Sequence, residues 1–150
     1  MSLEIKKDAE LVRKHLKDNT ELVEKILRET TIPEYLACTA KIIAAAFKSN
    51  KSLYAAGNGG SFSDAAHFVG ELVGWYADKT HKREGLKAYL LGSNAATLTA
   101  VSNDSSYDNI FAREVSTYCQ KEDIFVPFTT SGNSKNILMA TRAAREKRAI

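Results

Sequence analysis

Four hydroxyls fall within the turn 129–134: Thr129, Thr130, Ser131 and Ser134. Gly132 lets the backbone bend tightly there, and a helical pattern begins at Lys135. A helix start presents unpaired N–H groups and the positive end of the helix dipole, so hydroxyls gathered at it make a phosphate cradle that needs no arginine. The same residues also describe a solvated helix cap with Ser134 in the capping position, and both readings stand. A second polar turn, Gly57-Asn58-Gly59-Gly60-Ser61, precedes another helical pattern. It is not a dinucleotide fingerprint, because the third glycine counted from Gly57 would fall on Phe62. It is not a Walker loop either, since no Lys-Ser or Lys-Thr follows. Its glycines suit close backbone approach to a ligand, with Asn58 and Ser61 as polar contacts, or a turn that needs positive φ.

His67 and Glu71 lie four residues apart on the helix after that turn, which puts them on one face. Ser61, Ser63 and Asp64 share the helix mouth. An imidazole beside a carboxylate can ligate a metal or move a proton, and it also occurs as a plain surface pair. Asn103 and Asp104 fall at an expected turn and suit either sugar hydroxyls or a local Asx turn. His15 and His81 have no such company and are expected in solvent. Cys38 and Cys119 form no CxxC pair and read as reduced structural thiols.

These groups must be held by something. Residues 2–28 read as one long helix, with Ile5, Ala9, Val12, Leu16, Val23 and Ile26 stepping by fours and threes as a heptad stripe, broken by polar Asn19. That stripe packs either on its own domain or on a partner subunit. A capping box, Thr31 with Glu34, and Pro33 in the first turn predict a second helix to about Ser49, with Leu36, Ala40, Ile43 and Phe47 inward. Strands are expected at 52–56, 87–91 and 123–128, and helices at 62–76, 95–102, 107–118 and 135–147. The helix at 62–76 should turn Ala65, Phe68, Val69 and Leu72 inward. The one at 135–147 should do so with Ile137, Leu138, Ala140 and Ala144. The segment 77–86 reads as a loop. Pro127 cannot donate to a ladder and argues for an edge or a strand end.

Helices followed by alternating strand and helix imply an α/β fold, a doubly wound parallel sheet preceded by N-terminal helices. The whole of 1–150 is expected to be a single domain, with helices over 1–49 and a phosphosugar-binding core over 50–150. Three strands are thin for such a sheet, and further C-terminal strands are expected beyond Ile150. In open α/β sheets, ligands sit outside the carboxyl ends of the strands, where both polar turns fall.

Bulk properties exclude other classes. Charged residues are 26% and hydrophobic ones 44%, ordinary for a soluble globular chain. The net charge of +3 is too mild to argue for nucleic acid. The basic cluster Arg142, Arg145, Lys147 and Arg148 suits the last turn of a helix. No apolar run reaches the ~20 residues of a membrane span, and the charged N-terminus is no secretory signal.

Taken in order, Gly57-Asn58-Gly59-Gly60-Ser61, Asp64, His67-Phe68-x-x-Glu71-Leu72, Asn103-Asp104, Phe111-Ala112-Arg113 and Thr130-Ser131-Gly132-Asn133-Ser134 resemble the sugar isomerase (SIS) domain family, and within it the phosphoheptose isomerases. The resemblance runs from about Glu34 to Lys147. It implies a flavodoxin-like three-layer αβα fold. It also implies isomerisation of sedoheptulose 7-phosphate to a manno-heptose 7-phosphate through an enediolate, the first step toward ADP- and GDP-heptose and so toward lipopolysaccharide. Carried over by position, Asn58, Gly59, Gly60 and Ser61 would contact substrate, and Asn103 and Asp104 the sugar. Thr129, Thr130, Ser131 and Ser134 would hold the phosphate. Glu71 would be the catalytic base and a substrate contact. His67 and Glu71 would be ligands to one zinc per subunit in members that bind zinc. No nucleotide cofactor, nucleic acid or membrane partner is implied. A cytoplasmic homotetramer with sites at subunit interfaces is. One carboxylate can shuttle the proton if it is desolvated and its pKa raised.

Some features depart from the family pattern. The family's pattern continues with a later Gln and a later His that complete the metal site and the acid/base pair, and this sequence ends at Ile150 before either. Pro127 and Thr129 stand where glycine and serine are more usual, and 79–84 is unusually basic, with Arg83 within reach of a substrate or not. Two other readings compete: a non-catalytic phosphosugar sensor that keeps the hydroxyl turn, and a replication-initiator-binding protein, against which the retained Glu71 counts.

Overall fold

A computed structural model of the chain describes residues 3–29, 31–74 and 83–150. The chain divides into two compact units, Met1–Ile42 and Ile43–Ile150. The first holds α1 (Leu3–Arg28) and the start of α2 (Thr31–Lys48). Most of the heptad row of α1 is exposed, Val12, Leu16 and Val23 by 57%, 61% and 56%, while Ala9 and Ile26 are half-buried. The expected capping box does not form. Thr31 is already helical, and its hydroxyl donates to Glu29 Oε1 at 3.1 Å. Cys38 is exposed, so only Cys119 is the structural thiol expected of both; burial pushes Cys119 up to about 12.

The second unit begins with the last turns of α2. Ile43, Ala46 and Phe47 pack inward there, while Leu36 and Ala40, read as part of the same row, are exposed. Asn50 ends α2 at φ 60°, with the N–H groups of Asn50 and Lys51 bonding back to Phe47 and Ala46. This is a Schellman closure with asparagine in the left-handed position. Three parallel strands follow, β1 (Leu53–Gly57), β2 (Ala88–Leu90) and β3 (Ile124–Phe128), in the spatial order β2-β1-β3. The helix α3 (Gly60–Val73) links β1 to β2. α4 (Ala95–Asp104), a 3₁₀ turn (Tyr107–Asn109) and α5 (Ile110–Tyr118) link β2 to β3. α6 (Lys135–Glu146) follows β3. Residues 75 and 76, expected to end α3, and 77–82, including His81, lie outside the described residues.

β1 is buried along its whole length, as a central strand must be. Its period of two sorts the cores. Leu53 and Ala55 join Ala46, Ala65, Val69 and Ile124 on the α3 side. Tyr54 and Ala56 join Phe111, Val115, Cys119, Phe125, Ile137 and Ala140 on the α5/α6 side. The inward row of α6 is Ile137, Ala140, Ala143 and Ala144; Leu138 falls off that stripe and is 41% exposed, contrary to the sequence expectation.

Pro127 sits inside β3, paired with Ala56. Ile124 N–H donates inward to Ser52 O, whereas Phe125 N–H donates outward to Ile150 O. Pro127 shares the parity of Phe125, so its missing donor falls on the outer edge and the ladder to β1 loses nothing.

The turn after β2 is held by a buried carboxylate. Glu114, 6% exposed, accepts the N–H of Gly92, whose φ is +78°. Burial raises its carboxyl above the usual range, and the Gly92 N–H partly offsets this. A carboxyl raised in the folded state favours folding below its unfolded pKa and loses that contribution as pH climbs through the folded value. Glu114→Gln keeps the acceptor and removes the charge. It should stabilise the protein at pH 7 and lose that advantage as the pH falls into the ordinary carboxylate range. Urea midpoints at pH 7 and in that range check this.

Candidate functional site

Strand order reverses direction at β1: the chain goes to β2 on one side and reaches β3 on the other. The switch point of the sheet therefore lies between the carboxyl ends of β1 and β3. The two polar turns leave from those ends.

The first turn is shaped by two glycines. A Cβ on Gly57 would lie 2.4 Å from Ser61 O, so the α3 backbone packs directly on it. Gly59 adopts φ 56°, ψ −122° and precedes α3 with no side-chain cap. Gly60 and Ser61 form the first helical residues, and Gly60 has open space at its Cα. Phe68 of α3 meets Phe128 of β3 with ring centroids 5.7 Å apart, which seats α3 against the sheet.

That helix carries His67 and Glu71. Nε2 and Oε1 are 3.3 Å apart, with side chains 77% and 43% exposed. Both line a cavity of about 800 Å³ with Ser63, Asp64, Phe68 and Arg83. This volume suits a small metabolite. Within the described residues Glu71 is half open to solvent, so the desolvation expected of a base is not supplied by its own helix. Arg83 donates to the carbonyls of Leu72 and Glu71 at 2.8 and 2.9 Å. A cation there satisfies the orphan carbonyls at the end of α3 and suits its dipole.

The second turn bonds to itself. Gly132 N–H donates to Thr129 Oγ1 at 3.2 Å, and Asn133 N–H to Ser131 Oγ at 3.2 Å. Gly132 takes φ +67°. Ser134 occupies the capping position of α6 but its hydroxyl makes no cap bond, so the solvated-cap reading does not hold. Thr130 and Ser131 are exposed. The result is a hydroxyl-lined loop before an uncapped helix start.

A network that sequence reasoning missed joins the two turns. Asn58 Nδ2 donates to Asn136 Oδ1 at 2.9 Å, and Asn136 Nδ2 donates to Asn58 Oδ1 at 2.8 Å. Tyr107 OH donates to the same Asn58 oxygen at 3.0 Å. Asn58 was expected to contact ligand; its carboxamide oxygen is already used twice. Asn136 is 2% exposed. Nothing in the sequence marks it, because its partner lies 78 residues away.

Asn103 and Asp104 do not join this group. The expected turn is instead the last turn of α4. Asn94 caps that helix by accepting from the N–H groups of Ala96 and Thr97, and the helix continues until Ser105 and Ser106 bond back to Val101. Asn103 Nδ2 donates to Asp104 Oδ1 at 2.8 Å, and Asp104 lines a separate recess with Asn109 and Arg113.

Two donors on one helical turn are half of a zinc set, which takes three or four protein ligands. Among the described residues no group of three His, Cys, Asp or Glu could hold a metal. The chain as described does not fit a complete zinc site.

A parallel α/β sheet with a hydroxyl cradle and a His/Glu helix at its switch point is the architecture of a phosphosugar-binding domain. The SIS domain model matches residues 6–150, and the chain belongs to that family. It is 36% identical to phosphoheptose isomerase 2 of Campylobacter jejuni, over 93% of this chain and 68% of that protein. It is also 36% identical to a phosphoheptose isomerase of Helicobacter pylori, over 91% and 69%. The solved phosphoheptose isomerase of Francisella tularensis superposes with a TM-score of 0.81 at 29% identity, covering 93% of this chain and 72% of that one. The Neisseria gonorrhoeae enzyme gives 0.80 at 28%, covering 94% and 71%.

Proposed function

We propose that this chain is an aldose–ketose isomerase that converts sedoheptulose 7-phosphate to D-glycero-D-manno-heptose 7-phosphate. The observation that carries the reading is the pairing of His67 with Glu71 on the wall of the cavity, on a helix that starts at the same sheet end as the hydroxyl loop. The phosphate binds at the start of α6 among Thr129, Thr130, Ser131 and Ser134. The turn Asn58, Gly59, Gly60 and Ser61 lines the path. Binding the distant phosphate orients the reacting carbons. The Glu71 carboxylate takes a proton from C1 of the ketose, an enediolate forms, and the same carboxyl returns the proton to C2 while the hydroxyl proton passes between O1 and O2. His67 holds the carboxylate in place through the i,i+4 contact.

Zinc enters this reading as a partial site. His67 and Glu71 would be two of the donors to a bound zinc, which would stabilise the oxyanion. The exposed row of α1 supports a homotetramer, whose partner subunits would also cover Glu71. A cytoplasmic location belongs to the same reading. No helix among the described residues is long and apolar enough to cross a membrane.

Proton NMR of sedoheptulose 7-phosphate with the full-length protein in D₂O tests the proposal. The aldose should appear with deuterium at C2. Binding without any aldose would sink the isomerase reading and leave a phosphosugar sensor.

A further inference from the structure

The two ligand turns are separate pieces of chain, yet a reaction that holds a phosphate at one and moves a proton near the other needs their spacing fixed. Each turn keeps its own shape without help: 57–61 through its glycines, 129–134 through its internal hydroxyl bonds. What joins them is the reciprocal carboxamide pair, with Tyr107 OH as a third member. Asn136 Oδ1 also accepts the N–H of Ile137 at 2.9 Å, which pins the amide to the first turn of α6. Both acceptor sites of Asn58 Oδ1 are filled, so that oxygen cannot serve a sugar hydroxyl. Asn136 is buried and Asn58 half-buried, so removing the partner of Asn136 is costly, because its polar atoms stay buried.

Resting on the isomerase reading, we propose that Asn136 is a positioning residue. It locks Asn58, and with it the mouth of the helix carrying His67 and Glu71, at a fixed distance from the phosphate loop. Asn136 touches neither phosphate nor the reacting carbons. It sets how far apart the two ends of the substrate are held, and so favours a sugar phosphate of one length.

The test uses Asn136→Asp. The aspartate is nearly isosteric and keeps an acceptor for Ile137 N–H and for Asn58 Nδ2. Ionised, it cannot donate to Asn58 Oδ1, and two oxygens then face each other. At pH 7.5, kcat for sedoheptulose 7-phosphate should fall about tenfold to a hundredfold. The dissociation constant for inorganic phosphate should stay within about twofold, since the cradle is self-held. The ratio of variant to wild-type kcat should recover as the pH is lowered toward about 5, where a buried aspartic acid regains a donor proton. Tyr107, which donates to Asn58, is the titratable side chain in contact with the pair. Tyr107→Phe removes one bond from a side chain that is 53% exposed, so it will fold. It should lower kcat about two- to fivefold with phosphate affinity unchanged.

Unchanged kcat in both variants, or losses that follow only the folded fraction and ignore pH, would overturn the positioning role. Wild-type protein without turnover would instead sink the isomerase reading, and the tie would then be judged by NMR. Titrating inorganic phosphate should shift the Asn58 side-chain amide signals in wild type and leave them still in Asn136→Asp. No shift in wild type overturns the tie.

Discussion

Replacing Glu71 by glutamine should lower kcat for sedoheptulose 7-phosphate by about 10²- to 10⁴-fold, the range a positioned general base contributes. The amide has the shape of the carboxylate but no basic oxygen, so the proton on C1 has nowhere to go. The fold should not suffer. Glu71 is half exposed, and its side-chain partner is His67 on the same helix. Nor should the hydroxyl loop proposed to hold phosphate, which lies at the start of another helix. Turnover by NMR and phosphate affinity by calorimetry, on one preparation, separate the chemistry from binding. Retention of turnover within tenfold would remove Glu71 from the role of base.

The second large effect is expected at Gly57. Its added methyl in Gly57→Ala would meet Ser61 O at 2.4 Å, Ser61 C at 2.5 Å and Phe62 N at 2.8 Å. All three are backbone atoms of the α3 entry, and β1 on the other side is fully buried and cannot retreat. Overpacking of this kind costs about 3 kcal/mol, and relief must come from moving α3, which carries His67 and Glu71. Both the urea midpoint and kcat should therefore fall. Gly60→Ala is the internal comparison for stability, since nothing lies within 4 Å of its added methyl and its backbone is helical. It should be neutral or stabilising by about 0.5–1 kcal/mol. Equal losses of stability at the two positions would show that the glycines matter for flexibility rather than for close approach.

The elements and the two polar turns were legible because they rest on local rules. The strand at Leu53–Gly57 and the helix at Lys135–Glu146 were read within a residue or two. Pro127 was read as an edge or a strand end, and it lies one residue from the end of β3 with its missing donor on the side away from β1. What escaped depends on distant partners. Asn136 drew no notice in the sequence, and its buried place depends on Asn58, 78 residues away. Arg83 stood in a basic stretch, and its docking on the end of α3 depends on carbonyls eleven and twelve residues back. Asn103 and Asp104 were read as a turn because short polar residues usually make one, yet the capped α4 simply runs through them. Glu114 sits in a helix that looks amphipathic, with no local sign that its carboxylate turns inward to Gly92.

The alternation along β1 makes the sheet a partition. Side chains of the α5/α6 core and of the α3 core share no packing surface across it, so substitutions on one side can accumulate without being felt on the other. The partition is bridged at its carboxyl end, where an amide from α6 grips an amide from the mouth of α3. Both cores are thus tied to the proposed chemistry, one through the helix of His67 and Glu71 and the other through α6 and Asn136.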